Sequence, residues 1–133
     1  MLEGSCLCGS VAYAVDAAIG PIVHCHCATC RKAHGTAFST VSPVPREKFR
    51  WLRGEDLLGS FESSPGKFRR FCSRCGSQIV ADRVAQPVIL LRLGCLDTPI
   101  VARPRLHIWR SDAACWYDPK DAVPELDQGV PAR

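Results

Sequence analysis

The chain has 133 residues, enough for one domain but too few for a comfortable second one. Its hydrophobic fraction of 47% and charged fraction of 23% are those of a folded globular protein and exclude disorder as the main state. Seventeen basic and thirteen acidic residues give a net charge of +4, but both signs are scattered along the chain, so we expect no nucleic-acid partner. The densest aliphatic run, residues 88–91, is far shorter than the ~20 residues of a membrane span, so we expect no membrane partner.

The pattern of alternating apolar residues and Gly, Pro and Ser turns predicts many short strands and one short helix. The helix is expected over residues 28–34 and ends before Gly35, and Pro43 and Pro45 are expected to close the strand over residues 37–41. The predicted fold class is mainly β, in a single domain over residues 1–133, with residues 118–133 as an irregular tail. The predicted strands cover residues 10–15, 22–25, 37–41, 49–52, 57–62, 67–71, 77–81, 88–93 and 107–109.

Nine cysteines are the unusual feature of the composition. An odd number does not close a disulfide framework, and no secretory signal is visible at the N-terminus, so we expect a cytoplasmic protein whose cysteines are reduced. Seven of the nine lie in three tight groups, a spacing typical of metal ligands. The groups are Cys6 and Cys8; Cys25, Cys27 and Cys30; and Cys72 and Cys75.

The first and last groups fit together as one structural zinc site. In an extended segment Cys6 and Cys8 face the same side, so both sulfurs can point at one ion. Cys72 and Cys75, followed by Gly76, have the spacing of a zinc knuckle. Two such pairs make one tetrahedron of four thiolates, and the metal would close a long loop of the chain.

The middle group offers three cysteines, Cys25, Cys27 and Cys30, with no fourth nearby. A closed structural site uses four protein ligands, whereas a catalytic site keeps one position open. We therefore interpret this group as a second zinc site with a free position. In the alternative, His24, His26 or His34 supplies the fourth ligand and closes the site; His34, one helical turn after Cys30, could reach it. His26 lies between two ligands and is expected to point away from them.

Three residues of the predicted helix are candidates for substrate binding. Arg31 and Lys32 directly follow the cysteines and could clamp a substrate carboxylate. The alternative for both is a solvated helix face. His34 could act as a general acid or base, or it could be an ordinary surface or packing histidine.

The other conspicuous side chains are interpreted as packing residues. His107 lies between apolar neighbours and is expected to be a core histidine with its hydrogen bonds satisfied. The tryptophans are expected in the core or in a pocket wall, and the two isolated cysteines are expected to behave as small buried hydrophobes. These residues are Trp51, Trp109, Trp116, Cys95 and Cys115.

The three cysteine groups, in this order and with these flanks, resemble the family of glutathione-dependent formaldehyde-activating enzymes, also called centromere protein V-like. The motifs are Gly4-Ser-Cys-Leu-Cys-Gly-Ser-Val11, Cys25-His-Cys-Ala-Thr-Cys-Arg-Lys32 and Phe71-Cys-Ser-Arg-Cys-Gly-Ser77. Softer matches follow at residues 94–97, 104, 107–109 and 116, so the resemblance spans nearly the whole chain. Cys95 departs from the family, which more often has serine there.

The resemblance implies a β-tent of short antiparallel strands with two zinc ions. One zinc would be structural, and the other, on the catalytic cysteines Cys25, Cys27 and Cys30, would keep a position for a thiol substrate. The family's name-giving reaction joins formaldehyde to glutathione as S-hydroxymethylglutathione. The predicted function is therefore that of a zinc-dependent carbon–sulfur lyase or synthase acting on a thiol–aldehyde adduct, with a small thiol, glutathione by resemblance, as partner. The alternative is a non-enzymatic zinc-binding module of the same fold that contacts other proteins.

Overall fold

The structure, a computed structural model, describes residues 1–130 and confirms the mainly β fold class. It contains ten strands and one α-helix, α1, over Ala28–His34. The helix has the predicted bounds because Cys27 caps its first turn and Gly35 ends it in the left-handed conformation, at φ +64°. The strands are β1 (Leu2–Ser5), β2 (Ala12–Val15), β3 (Ile22–Cys25), β4 (Ser39–Pro45), β5 (Phe49–Arg53), β6 (Leu58–Ser64), β7 (Lys67–Cys72), β8 (Gln78–Arg83), β9 (Val88–Arg92) and β10 (Pro104–Ile108).

The strands form two sheets. The small sheet has the order β1-β2-β5, and the large sheet has the order β10-β3-β4-β9-β8-β7-β6. The strand pairs are antiparallel as predicted, except that β10 pairs with β3 in parallel. A parallel pair needs a long crossover, which the chain between these two distant strands supplies.

The core lies between the sheets and is built from residues of both. Tyr13 stacks on Phe49 and meets Trp51 edge-on, so the small sheet contributes an aromatic cluster. The large sheet contributes Ile79 and Leu91, both fully buried. The other buried members of the core are Leu2, Cys6, Val11, Val15, Val44, Cys72, Val80 and Ile89. Because Cys6 and Cys72 belong to it, the predicted structural metal site borders the core directly.

Strand β4 continues through both prolines, so the prediction that they end it was wrong. The carbonyl of Pro43 accepts a hydrogen bond from the Gly20 N–H at 3.2 Å. The backbone nitrogen and carbonyl of Pro43 therefore point to the β3 side of β4, away from β9. Strand β3 begins only at Ile22, and the pairing of β4 with it stops at Val41. The missing proline N–H groups therefore interrupt no ladder, and β4 keeps its pairing with β9.

The described segment after β10 contains a short 3-10 helix over Arg110–Asp112 and an isolated bridge between Glu125 and His107. Two backbone hydrogen bonds attach it to β10, from the His107 N–H to Pro124 at 2.9 Å and from the Leu126 N–H to His107 at 2.8 Å. Cys115 and Trp116 lie at its start and are exposed, so the expectation that they are buried was wrong. Residues 131–133 of the expected tail lie outside the described residues.

No helix within residues 1–130 has the length and apolar character needed to cross a bilayer.

Asp82 ties the hairpin of β7 and β8 to the turn after β4. Its carboxylate accepts hydrogen bonds from Arg46 at 2.6 Å and from Arg70 at 3.1 Å, and its side chain is 10% exposed. Although burial opposes ionisation, these two guanidinium groups hold the pKa of Asp82 below its usual value.

We expect Asp82→Asn to lower the free energy of unfolding by about 1–3 kcal/mol, because two partly buried arginines lose their ionised partner. Urea unfolding of the wild type and the variant measures the change. An unchanged midpoint would show that the two ion pairs do not stabilise the hairpin.

Candidate metal centres and the cleft beside Cys27

The four-cysteine cluster, Cys6, Cys8, Cys72 and Cys75, forms where two turns meet. All four sulfurs lie within 4.8 Å of one another. Each turn contains a glycine in the left-handed conformation, Gly9 at φ +78° and Gly76 at φ +80°. The Leu7 N–H donates to the Ser77 hydroxyl at 3.0 Å and joins the two turns.

The sulfur spacing of this cluster fits a tetrahedral zinc ion. Four sulfurs each about 2.3 Å from zinc would be about 3.8 Å apart. The Cys6 and Cys8 sulfurs are separated by 3.6 Å, and the Cys8 and Cys72 sulfurs by 3.8 Å. Hydrogen bonds from Ser77 lower the pKa of the Cys75 thiol to about 5, which favours the thiolate that a metal needs.

The three-cysteine cluster, Cys25, Cys27 and Cys30, forms where β3 passes into α1. Cys25 ends the strand, and Cys27 caps the helix, its sulfur accepting the Cys30 N–H at 3.3 Å. The strand and the first helical turn thus direct three sulfurs to one point, within 4.8 Å of one another. Three thiolates are soft ligands that suit zinc.

Among residues 1–130, no fourth cysteine, histidine or carboxylate shares that point with the three sulfurs. His34 lies further along α1, where its Nε2 is buried and has no hydrogen-bond partner within the described part of the chain. Burial, with the charge of Arg92, lowers the pKa of His34 to about 4. The residues present therefore fit a metal ion with three protein ligands.

Hydrogen bonds from the Cys25 and Cys27 thiols lower the pKa of Cys30. Arg69 adds to the effect, because its Nη2 lies 3.7 Å from the Cys30 sulfur. The pKa of Cys25 is raised, chiefly by its hydrogen bond with Cys27 and then by the one with Cys30. Of Cys25 and Cys30, Cys30 is therefore the one whose thiolate form is favoured.

A hydrogen-bonded row of His26, His107 and Asp121 supports the loop of the three-cysteine cluster on the side away from the sulfurs. His26 is buried and points away from the sulfurs, and its Nε2 lies 2.8 Å from Nδ1 of His107. His107 Nε2 lies 3.0 Å from the Asp121 carboxylate, so both of its ring nitrogens have partners. The tail after β10 thereby supports the loop that carries Cys25 and Cys27.

A cleft of about 550 Å³ opens beside Cys27. We call it the Cys27 cleft; its walls include Cys27, Thr29, Lys67, Arg69, Arg83 and Trp109. Cys25 and Cys30 do not line it, so Cys27 marks the side on which the cluster faces open space. A cleft of this size accepts a small organic ligand.

The three predicted substrate-binding residues lie around α1 but do not line the Cys27 cleft. The Nε–H of Arg31 donates to the Asp112 carbonyl oxygen at 3.2 Å. Lys32 borders a neighbouring groove that it shares with Phe61 and Phe71. His34 borders a third depression, beside Arg92. Their part in binding stays a prediction.

The sequence interpretation missed the basic side chains of the large sheet, Lys67, Arg69, Arg83 and Arg92. Scattered through the sequence, they resemble ordinary surface charges. The available signal was the alternation of Lys67 and Arg69, which places both on one face of a strand that leads directly to Cys72. The sequence does not show that this face lies against the three-cysteine cluster, because that contact depends on how the strands pair.

These features define a mainly β protein with two cysteine centres that could each hold a metal ion. The model of one family, glutathione-dependent formaldehyde-activating enzyme, matches residues 1–112. The chain is 27% identical over 107 residues to a protein of Colletotrichum graminicola, covering 78% of this chain and 50% of that protein. It is 27% identical over 127 residues to a protein of Halomonas elongata, covering 89% of this chain and 80% of that one. Both relatives carry the family's name, given provisionally.

A crystal structure of a Rhodobacter sphaeroides protein shares the fold, with a TM-score of 0.63 at 20% identity, covering 93% of this chain and 99% of that one. The chain belongs to the glutathione-dependent formaldehyde-activating enzyme family. It spans about half the length of the fungal relative.

Proposed function

We propose that this chain is a zinc-dependent carbon–sulfur lyase or synthase that acts on a thiol–aldehyde adduct of the S-hydroxymethylglutathione type. The observation that carries the proposal is the three-cysteine cluster. It converges on one point without a fourth protein ligand among residues 1–130, and it faces a cleft through Cys27. A site with three protein ligands and an open position is typical of catalysis rather than of structural support. Membership of the family supports the same reaction class.

Cys25, Cys27 and Cys30 would hold the catalytic zinc and are the proposed catalytic residues. A zinc ion on three thiolates supplies a soft Lewis acid that favours the ionised form of a fourth thiol at neutral pH. Arg69 offsets part of the negative charge through its contact with Cys30. The walls of the Cys27 cleft would orient the rest of the substrate, so that the thiol sulfur lies beside the cluster.

In the forward direction, the substrate sulfur forms a bond to the aldehyde carbon and the carbonyl π bond breaks. The thiol proton is released, and the carbonyl oxygen takes one up, so atoms and charge balance. The reverse direction breaks the carbon–sulfur bond and returns the thiol and the aldehyde. The proposed partner is a small thiol, with glutathione as the first candidate because of the family's name.

The four-cysteine cluster would hold a second, structural zinc, giving two zinc ions per chain. It closes a loop of 64 positions between Cys8 and Cys72 (72 − 8), next to the core that the two sheets share. We further propose that residues 1–133 form a single domain. A cytoplasmic location is proposed because all nine cysteines are free thiols, as a reducing compartment would keep them.

The test measures exchange between free glutathione and its formaldehyde adduct by NMR at equilibrium, with and without the zinc-loaded protein. We expect the protein to accelerate the exchange above the spontaneous rate, and a chelator that removes the weaker-bound zinc to abolish the acceleration. The assay is repeated with a panel of small thiols and aldehydes. A spontaneous rate throughout the panel would contradict the proposal and favour the non-enzymatic protein-interaction module.

A further inference from the structure

Four basic side chains lie on one face of the large sheet. Lys67 and Arg69 are two residues apart on β7, so they share a face, and Lys67 pairs directly with Arg83 on β8. The register of β8 with β9 brings Arg92 to the same face. The three-cysteine cluster lies against this face, because the Nη2 of Arg69 is 3.7 Å from the Cys30 sulfur.

The two inner arginines are buried without carboxylate partners. Arg69 is 3% exposed and Arg92 is 4% exposed. Within residues 1–130, Nε and Nη1 of Arg69 and Nε and Nη2 of Arg92 have no hydrogen-bond partner, and no salt bridge includes either residue. A buried guanidinium group is normally paired, so the unused donors of Arg69, which lines the Cys27 cleft, favour an anion there. Arg92 borders the neighbouring depression beside His34.

The balance of charges around the three-cysteine cluster and the Cys27 cleft also favours a bound anion. Three thiolates and a zinc ion carry about −1 together, which the two buried arginines already exceed. Lys67 and Arg83 add two further charges, and Asp112 is the single carboxylate among the described lining residues. Burial and the charges of Arg69, Arg83 and Arg92 lower the pKa of Lys67, so the four groups act on one another.

We infer that the Cys27 cleft contains an anion subsite in which Lys67 and Arg83 bind a carboxylate of the thiol substrate, with Arg69 between that subsite and the cysteines. The inference rests on the proposed function and adds the two residues that would select the substrate: Lys67 and Arg83 favour a small thiol that carries a carboxylate. Lys67 and Arg83 face each other on the two strands, a spacing that allows both to contact one carboxylate group. Specificity would therefore come from the sheet, and not from the charged residues of α1.

The test compares the affinities of N-acetylcysteine and its uncharged amide for the zinc-loaded protein, measured by calorimetry. The variants are Lys67→Gln and Arg83→Gln, with Arg105→Gln, an exposed residue of β10, as the matched control. We expect the wild type to bind the acid about tenfold more tightly than the amide. Each of the two variants should lower this preference about threefold, and Arg105→Gln should leave it unchanged.

The same preference in all four proteins, or none in the wild type, would overturn the subsite. Because the readout is binding, it separates the two proposals. A preference lost in Lys67→Gln and Arg83→Gln supports the subsite even if no adduct is turned over. Turnover without any preference for the acid would keep the proposed function and remove the subsite.

Discussion

Replacing Cys72 with serine is expected to leave the protein unfolded or aggregated under conditions in which the wild type is folded. Cys72 is fully buried at the border of the core and is one of four sulfurs that join the N-terminal turn to the end of β7. Zinc binding at a site of this kind contributes about 10–16 kcal/mol, which equals or exceeds the ~5–15 kcal/mol that stabilises a typical domain. Circular dichroism during thermal unfolding measures the effect.

The matched control is Cys115→Ser, because Cys115 is exposed and belongs to neither cluster. We expect this variant to unfold at the wild-type temperature. A Cys72→Ser protein that unfolds cooperatively at the wild-type midpoint would contradict the structural role of the four-cysteine cluster.

Replacing Cys27 with serine is expected to abolish turnover while leaving the fold nearly intact. Serine is a good helix cap, so it can replace the Cys27 sulfur as acceptor of the Cys30 N–H. It is a poor zinc ligand, because its hydroxyl is hard and stays protonated at neutral pH. Changes to residues that only hold metal ligands in place already lower metal affinity or activity by about 10- to 100-fold. We therefore expect loss of a ligand itself to lower the rate of adduct exchange at least a hundredfold.

Adduct exchange, zinc per chain and thermal unfolding are measured together on this variant. We expect one zinc per chain in place of two and a melting temperature within a few degrees of the wild type. If Cys27→Ser unfolds as readily as Cys72→Ser, the three-cysteine cluster is structural, and the protein-interaction alternative gains support.

Local chemistry allowed the sequence to predict much of the fold and the two groups of sulfurs. The bounds of α1 follow from the residues at its ends, and β3 follows from a short apolar run between Pro21 and the cysteines. The sulfur clusters follow from ligand spacing, since zinc chemistry demands few atoms at short range. Strand β1, Leu-Glu-Gly-Ser, was missed because it contains one large apolar residue, too few to show an alternating pattern.

Beyond the alternation of Lys67 and Arg69 on β7, the basic face of the sheet was not predictable, because it depends on strand register. Lys67 and Arg83 become neighbours only when β7 pairs with β8. Arg69 reaches Cys30 only when the sheet packs against α1. The continuation of β4 through Pro43 likewise depends on where β3 begins, which is a property of the neighbouring strand.

The central claim is that the three-cysteine cluster holds a metal ion with a position open to a substrate thiol. Cobalt(II) substituted for zinc tests it most directly, because each cobalt–thiolate bond adds to the ultraviolet charge-transfer absorption. The clusters supply four and three thiolates, so a saturating thiol should raise that absorption by about one part in seven, from seven bonds to eight. We predict this rise in the wild type and its loss in Cys27→Ser. A wild-type spectrum that does not change on addition of thiol would contradict the claim.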